Sequence, residues 1–271
     1  MADGGRARVE AMFAAARAEG RAALLPYLTA GLPDPDSSAS LFAAMAEAGA
    51  DGFEVGIPYS DPLMDGPIIH SAGLAALAAG TTLERAIALS GSVARQTSLP
   101  TIVMTYVNPV MRVGAGRFAE LVAGAGASAV IVADLPVDEA APFADAFRAA
   151  DLGVVLFVAP TTDDARLAAV AELDPVFLYG IAQLGVTGER EAAAAERAAE
   201  LAERVRAISS APLVLGVGIS TPEHVRIAAA VADGVIVGSA LVKRVLDAAS
   251  PAAAASSLRD AVTDLAAAVR R

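Results

Sequence analysis

The chain has 271 residues, with 20 basic and 31 acidic side chains and a formal net charge of −11. A field of that sign repels phosphodiester backbones and argues against a nucleic-acid-binding protein, although backbone N–H groups can still bind a small phosphorylated ligand. The sequence contains no cysteine, which excludes disulfides, thiolate catalysis and cysteine-bound zinc.

The N-terminal segment is rich in arginine, as mitochondrial targeting peptides are. Glu10 and Glu19 lie within it, and such peptides avoid acidic residues. No apolar run approaches the roughly 20 residues needed to cross a bilayer. We therefore expect a cytoplasmic protein, an expectation that also fits the absence of disulfides.

Short runs rich in Val, Ile and Leu recur along the chain and predict eight strands. These runs are Ala22–Thr29, Gly52–Gly56, Pro100–Tyr106, Ala129–Asp134, Gly153–Ala159, Val176–Gly180, Pro212–Gly216 and Gly234–Val237. Apolar runs without alternation are typical of strands covered on both faces, as in a parallel sheet.

Alanine-rich segments between these runs predict helices. They are Ser37–Ala48, Leu83–Arg95, Arg117–Gly124, Asp138–Ala150, Asp163–Glu172, Glu191–Ile208 and Pro222–Ala230. We also expect an extra helix before the first strand and a last helix beyond Ser250. Asp163 before one segment, and Thr221 followed by Pro222 before another, are typical helix starts.

The spacing of the apolar runs, about 30 residues, is that of a βαβ unit, and eight such units close a barrel. The alternative is an open doubly wound sheet, in which a glycine-rich turn is expected after the first strand. Ala30-Gly31-Leu32-Pro33 is not such a turn. The sequence therefore predicts a single (β/α)8 TIM-barrel domain over residues 1–271, with its active site in the loops after the strands.

Glu54 lies inside the second apolar run and is the first candidate functional residue. An unpaired buried carboxylate is costly, so such a glutamate is either paired or functional. For a single buried glutamate, a structural ion pair is the more usual interpretation. The acidic residues and turn-formers that crowd the following loop, up to Pro67, favour a functional one.

Two glycine-containing segments late in the chain predict a phosphate site. Leu215–Ser220 follows the seventh strand, and Val237–Ala240 follows the eighth. Barrel phosphate sites commonly use these two loops. Gly185–Gly188, after the sixth strand, could close over the same anion or form a plain surface turn.

Groups that would support other lyase chemistries are scarce. Lys243, the only lysine, lies in the helix after the eighth strand and not at a strand end, where a Schiff-base lysine would be expected. His70 and His224 are far apart in sequence and are more simply interpreted as helix-surface residues. We expect no metal and no cofactor, which leaves carboxylate acid–base chemistry with a phosphate anchor.

Several segments together resemble the signature segments of tryptophan synthase α subunits, and the resemblance spans nearly the whole chain. The segments are Pro26–Gly31, Glu54–Pro62, Asp65–Pro67, Met104–Pro109, Asp134–Pro136, Gly185–Gly188 and Gly238–Ala240. The resemblance implies a retro-aldol cleavage of indole-3-glycerol phosphate to indole and glyceraldehyde 3-phosphate.

The resemblance also implies roles for individual residues. Glu54 would be the catalytic acid–base, Asp65 the acceptor of the indole N–H, and Tyr179 an active-site tyrosine. Tyr27 and Tyr106 would line the indole pocket. The phosphate anchors would be Gly188, Gly218, Gly238 and Ser239.

The chain departs from the family pattern at three places. Ala182-Gln183 replaces the usual polar pair before the Gly185–Gly188 loop, His70 stands where glutamine is common, and Gly180 follows Tyr179 where a bulkier residue is frequent. None of these changes Glu54 or Asp65.

The family resemblance implies a pyridoxal-phosphate-dependent β subunit as partner. Its docking surface would be the loops that carry Pro58, Asp61, Pro62, Asn108, Pro109 and Met111. Two alternatives keep the family but not the complex: a stand-alone lyase that releases indole, and a regulatory subunit of low activity that activates a β partner. Other phosphate-binding barrels, such as phosphoribosylanthranilate isomerase or a metal-dependent ribulose-phosphate epimerase, are rivals outside the family.

Overall fold

The computed structural model describes residues 4–181 and 189–270 and has eight parallel strands in a closed barrel. Each strand pairs with the next in chain order, and β8 pairs with β1. The strands are β1 Ala23–Thr29, β2 Phe53–Gly56, β3 Thr101–Thr105, β4 Ala129–Val132, β5 Gly153–Val158, β6 Phe177–Ile181, β7 Leu213–Gly216 and β8 Gly234–Val237. The TIM-barrel prediction is confirmed, and every strand lies within two residues of its predicted bounds.

Helices surround the barrel. They are α1 Gly5–Ala18, α2 Ser38–Glu47, α3 Pro67–Ala78, α4 Leu83–Thr97, α5 Val107–Val113, α6 Ala115–Ala125, α7 Val137–Ala149, α8 Asp164–Glu172, α9 Glu189–Ile208, α10 Pro222–Val231, α11 Ser239–Leu246 and α12 Pro251–Ala268. The predicted extra helix at the N-terminus is α1, and α12 is the predicted last helix. Helix α5 was not predicted, and α3 was implied only by the interpretation of His70 as a helix-surface residue; both begin in the loops of the candidate site.

No single helix in the described ranges, 4–181 and 189–270, is long and apolar enough to cross a membrane. Helices α3 and α4 meet that test only as a pair, with a bend of 106° between them.

The strands alternate between side chains that fill the barrel and side chains that pack under the helices. Strand register places Tyr27 beside Glu54 on the neighbouring strand, and Phe157 beside Tyr179. These residues project into the barrel near its C-terminal end, so the fold itself gathers them.

The opposite end of the barrel is closed by α1 and by buried polar contacts. The Phe13 ring packs edge-on against Phe177, with 5.7 Å between the ring centroids. Arg21 donates two hydrogen bonds of 2.7 Å to Asp51, whose carboxylate also accepts the Leu24 N–H at 2.8 Å. This end is therefore built for stability, and the C-terminal end is left for a binding site.

Candidate active site

A cavity of about 380 Å³ opens at the C-terminal ends of the strands. It brings together seven of the nine residues proposed from sequence: Tyr27, Glu54, Asp65, Tyr179, Gly218, Gly238 and Ser239. Tyr106 lies beside this group, where it interacts with Asp65. Gly188 lies outside the described residues, as do Ala182 and Gln183. A second cavity, of about 390 Å³, lies at the opposite end beside α1 and contains none of the proposed site residues.

Glu54 lies in β2 with its carboxyl group in the cavity, and its side chain is only 4% exposed. Its Oε2 atom has no hydrogen-bond partner among the described residues, so the ion-pair interpretation is not supported. Burial, and to a lesser extent the charge of Asp65, raises the pKa of Glu54 to about 8. At neutral pH the group therefore holds a proton that it can donate.

Asp65 is placed by the loop between β2 and α3. Its N–H donates to the Pro62 carbonyl at 3.0 Å, and α3 begins directly after it, with Gly66 as the N-cap and Pro67 in the first turn. The side chain is half-buried. Burial raises the pKa of Asp65, while the Tyr106 hydroxyl and His70 oppose that shift. The two carboxyl groups thus have different surroundings, as acid–base pairs with separate roles do.

Three buried tyrosines surround the two carboxyl groups. The Tyr179 ring packs against Phe157 at 4.9 Å, and the Tyr106 ring against Tyr59 at 5.4 Å. Burial, with the nearby carboxylates, raises the pKa of Tyr27, Tyr106 and Tyr179, so all three hydroxyls stay protonated.

An apolar wall completes the cavity and was not predicted from the sequence. Met104, Phe157 and Ile236 line it from β3, β5 and β8. By strand register, Phe157 pairs with Tyr179, Met104 with Gly56 and Ile236 with Leu25. These residues could have been found from the sequence only through the strand register, which requires all eight strands to be aligned with one another. A flat apolar wall opposite carboxylates suits an aromatic substrate.

The other end of the cavity suits an anion. Val217 and Gly218, after β7, have left-handed φ values of 65° and 78°. A β-branched residue with positive φ is a strained outlier, and such strain concentrates at binding loops. Gly238 is the N-cap of α11 and Ser239 its first residue, so the helix N-terminus faces the cavity. No lysine or arginine in the described part of the chain lines this cavity. An anion there would be held by backbone N–H groups.

The histidines and Gly180 have local structural explanations. His70 lies on α3, and His224 lies on α10, where its Nδ1 is 3.3 Å from the Ser220 Oγ. Within the described ranges, no group of three or more His, Cys, Asp or Glu side chains could hold a metal ion. A Cβ on Gly180 would lie 2.6 Å from Leu215 Cδ2, so a bulkier residue there would require the Leu215 side chain to shift.

Comparison with known proteins gives a consistent result. Residues 13–270 match the family model for the tryptophan synthase alpha chain. The tryptophan synthase alpha chain of Thermobifida fusca is 44% identical over 261 residues, which cover 95% of this chain and 96% of the relative. That of Prochlorococcus marinus is 43% identical over 244 residues, covering 90% and 88%. A solved structure of Mycobacterium tuberculosis tryptophan synthase superposes with a TM-score of 0.88 at 39% identity, covering 97% of this chain and 98% of the other.

The raised pKa of Glu54 predicts a stability cost that Glu54→Gln removes. Between the ordinary glutamate value of 4.5 and about 8, the folded protein keeps a proton that the unfolded chain has released. The free energy of unfolding therefore falls as pH rises through this window. We expect the melting temperature of Glu54→Gln to exceed that of the wild type by an amount that grows between pH 5 and 8.

The control is Glu120→Gln, because the Glu120 side chain is 67% exposed and forms an ion pair with Arg117 on the same helix. It should change the melting temperature little at any pH. A Glu54→Gln advantage that stayed constant from pH 5 to 8 would contradict the raised pKa.

Proposed function

The chain belongs to the tryptophan synthase α chain family, and on that premise we propose how its residues cleave indole-3-glycerol phosphate into indole and glyceraldehyde 3-phosphate. The observation that carries the proposal is the buried Glu54, protonated at neutral pH, in a cavity shared with Asp65 and with no partner for its Oε2 among the described residues. The cavity volume of about 380 Å³ also lies in the range of roughly 300–1,000 Å³ typical of small-molecule sites.

In the first step, Glu54 gives its proton to the indole carbon that carries the side chain, and Asp65 takes the proton of the ring nitrogen. In the second, the Glu54 carboxylate removes the proton of the side-chain hydroxyl. The carbon–carbon bond then breaks, the hydroxyl carbon becomes the aldehyde, and the bonding electrons return to the ring. Asp65 gives its proton back to the nitrogen, so both carboxyl groups end as they began.

The remaining residues bind the substrate in this scheme. Tyr27, Tyr106 and Tyr179 would contact the indole ring from three sides, with Phe157 and Met104 opposite. The backbone N–H groups near Gly218, Gly238 and Ser239 would hold the phosphate. Gly188, which lies outside the described residues, is expected to join them. This arrangement would let a chain with a net charge of −11 bind an anionic substrate without a lysine or arginine from the described part of the chain.

We expect Glu54→Gln and Asp65→Asn to abolish cleavage in different ways. Glu54→Gln keeps the shape of the side chain but removes a proton transfer that contributes about 10²–10⁴-fold to rate. Asp65→Asn removes the acceptor of the ring proton, so it should impair cleavage more than the binding of glycerol phosphate, which lacks the ring. Indole release and glycerol phosphate affinity are measured for both variants.

Two results would contradict these roles. Glu54→Gln retaining more than about a tenth of wild-type turnover would remove Glu54 from the chemistry. Equal losses of cleavage and of glycerol phosphate binding in Asp65→Asn would show that Asp65 only shapes its loop.

An exposed apolar surface beside the cavity supports a β subunit as partner. Leu63 is 86% exposed and Met64 59%, in the loop after β2, and Met111 on α5 is 63% exposed. Asn108 donates a hydrogen bond of 3.0 Å to the Tyr59 hydroxyl, which ties α5 to that loop. Pro58 is buried, so it would contribute little area to such a surface.

We expect a pyridoxal-phosphate-dependent β subunit to dock on this surface and take up the released indole. Little conformational entropy would be lost, because the loop and α5 are already fixed to each other. The same surface surrounds the cavity mouth, so docking would also favour closure of the site and faster cleavage.

Met111→Lys tests this interface, because it places a charge in the apolar surface without touching the cavity. We expect affinity for the β subunit to fall about tenfold or more, as for a central interface residue, with cleavage by the isolated chain unchanged. The matched control is Ile208→Lys, an exposed apolar residue at the opposite end of the barrel. A wild-type chain that neither binds a β subunit nor is accelerated by it would support the stand-alone lyase instead.

A further inference from the structure

Gly56, the last residue of β2, is a glycine for a reason other than backbone conformation. It lies in a regular strand and is not among the residues with positive φ. A Cβ atom at this position would lie 2.2 Å from the Tyr27 hydroxyl oxygen and 2.7 Å from two ring carbons. Any larger residue at position 56 would therefore occupy space that Tyr27 fills.

The same arrangement occurs at a second place in the barrel. Tyr27 pairs with Glu54 on the next strand, and Gly56 lies two residues further toward the cavity mouth. Tyr179 pairs with Val214, and Gly216 again lies two residues further, where a Cβ would also lie 2.2 Å from the tyrosine hydroxyl oxygen. In both places a tyrosine leans along the strand direction and lies over a glycine of the neighbouring strand.

Tyr27 is enclosed from both of its neighbouring strands. On the β2 side is Gly56, and on the β8 side is Gly238, where a Cβ would lie at an ordinary 3.4 Å from the ring. The Tyr27 and Thr29 hydroxyl oxygens are 3.3 Å apart, which holds the end of the side chain. The Tyr27 ring thus fills the space between the strand of the catalytic glutamate and the glycine proposed to bind phosphate.

We propose that Gly56 is a positioning residue for the phosphate end of the site and acts through Tyr27, an inference that rests on the proposed function. A methyl group at position 56 would push the Tyr27 ring toward β8, because Glu54 and Thr29 occupy its other sides. Gly238 lies in that direction, so the displaced ring would enter the space of the phosphate.

The test is a double-mutant cycle between Gly56→Ala and Tyr27→Leu, read as the affinity of the full chain for glycerol phosphate. In the wild-type background, Gly56→Ala should weaken binding by about tenfold or more, because the displaced ring takes space that the phosphate needs. In the Tyr27→Leu background the clash is absent, so Gly56→Ala should change binding by less than about twofold. In the cleavage assay, the KM for indole-3-glycerol phosphate should rise more than kcat falls.

The control is Gly116→Ala, because a Cβ on Gly116 meets no atom within 4 Å, and it should leave binding unchanged. Equal weakening by Gly56→Ala in both backgrounds, or no weakening in either, would overturn the proposal. If the single variant does not fold, recovery of folding and of glycerol phosphate binding in the double variant supports the clash, and failure of the double variant to fold contradicts it. The readout needs no cleavage, so a failure of the proposed reaction would appear separately, as absent indole release by the wild type.

Discussion

The burial of one ionisable group, Glu54, is the constraint on which the site depends. A parallel barrel covers its strands on both faces, so a carboxyl group on β2 has little access to water. With Oε2 unpaired among the described residues and Asp65 nearby, the charged form is disfavoured and the proton is retained at neutral pH. The buried position thus lowers the stability of the folded protein somewhat. In return, Glu54 is protonated at neutral pH, whereas a free glutamate would be ionised.

A second constraint is steric and concerns where the substrate can lie. The tyrosines beside Glu54 occupy their positions only because Gly56 and Gly216 lack a Cβ. The missing Cβ atoms of Gly218 and Gly238 have a similar effect at the end of the cavity that suits an anion. There they let the backbone approach a ligand closely. Under the proposed function, a strongly acidic chain would bind phosphate through oriented N–H groups, although the electrostatic field of the whole protein opposes an anion.

Features carried by local sequence patterns were predictable, and features that depend on distant residues were not. The eight strands follow from the apolar runs, and the candidate role of Glu54 follows from an acidic residue inside one of those runs. Helix α5 was missed because Val107 and Pro109 in its first turn are poor helix formers and suggest a loop. Other features depend on which residues lie side by side on neighbouring strands, and spacing along the sequence does not reveal this. They are the contact of Phe157 with Tyr179, the burial of Pro58 and the space over Gly56.

The most direct test of the account is a carboxyl carbon-13 NMR titration of the full chain with labelled glutamate. One signal, absent from Glu54→Gln, should titrate near pH 8, because burial raises the pKa of Glu54 to about that value. In Asp65→Asn that midpoint should move to lower pH, because the Asp65 charge contributes to the shift. A Glu54 signal that titrates near the ordinary value of 4.5 in the wild-type protein would contradict the account.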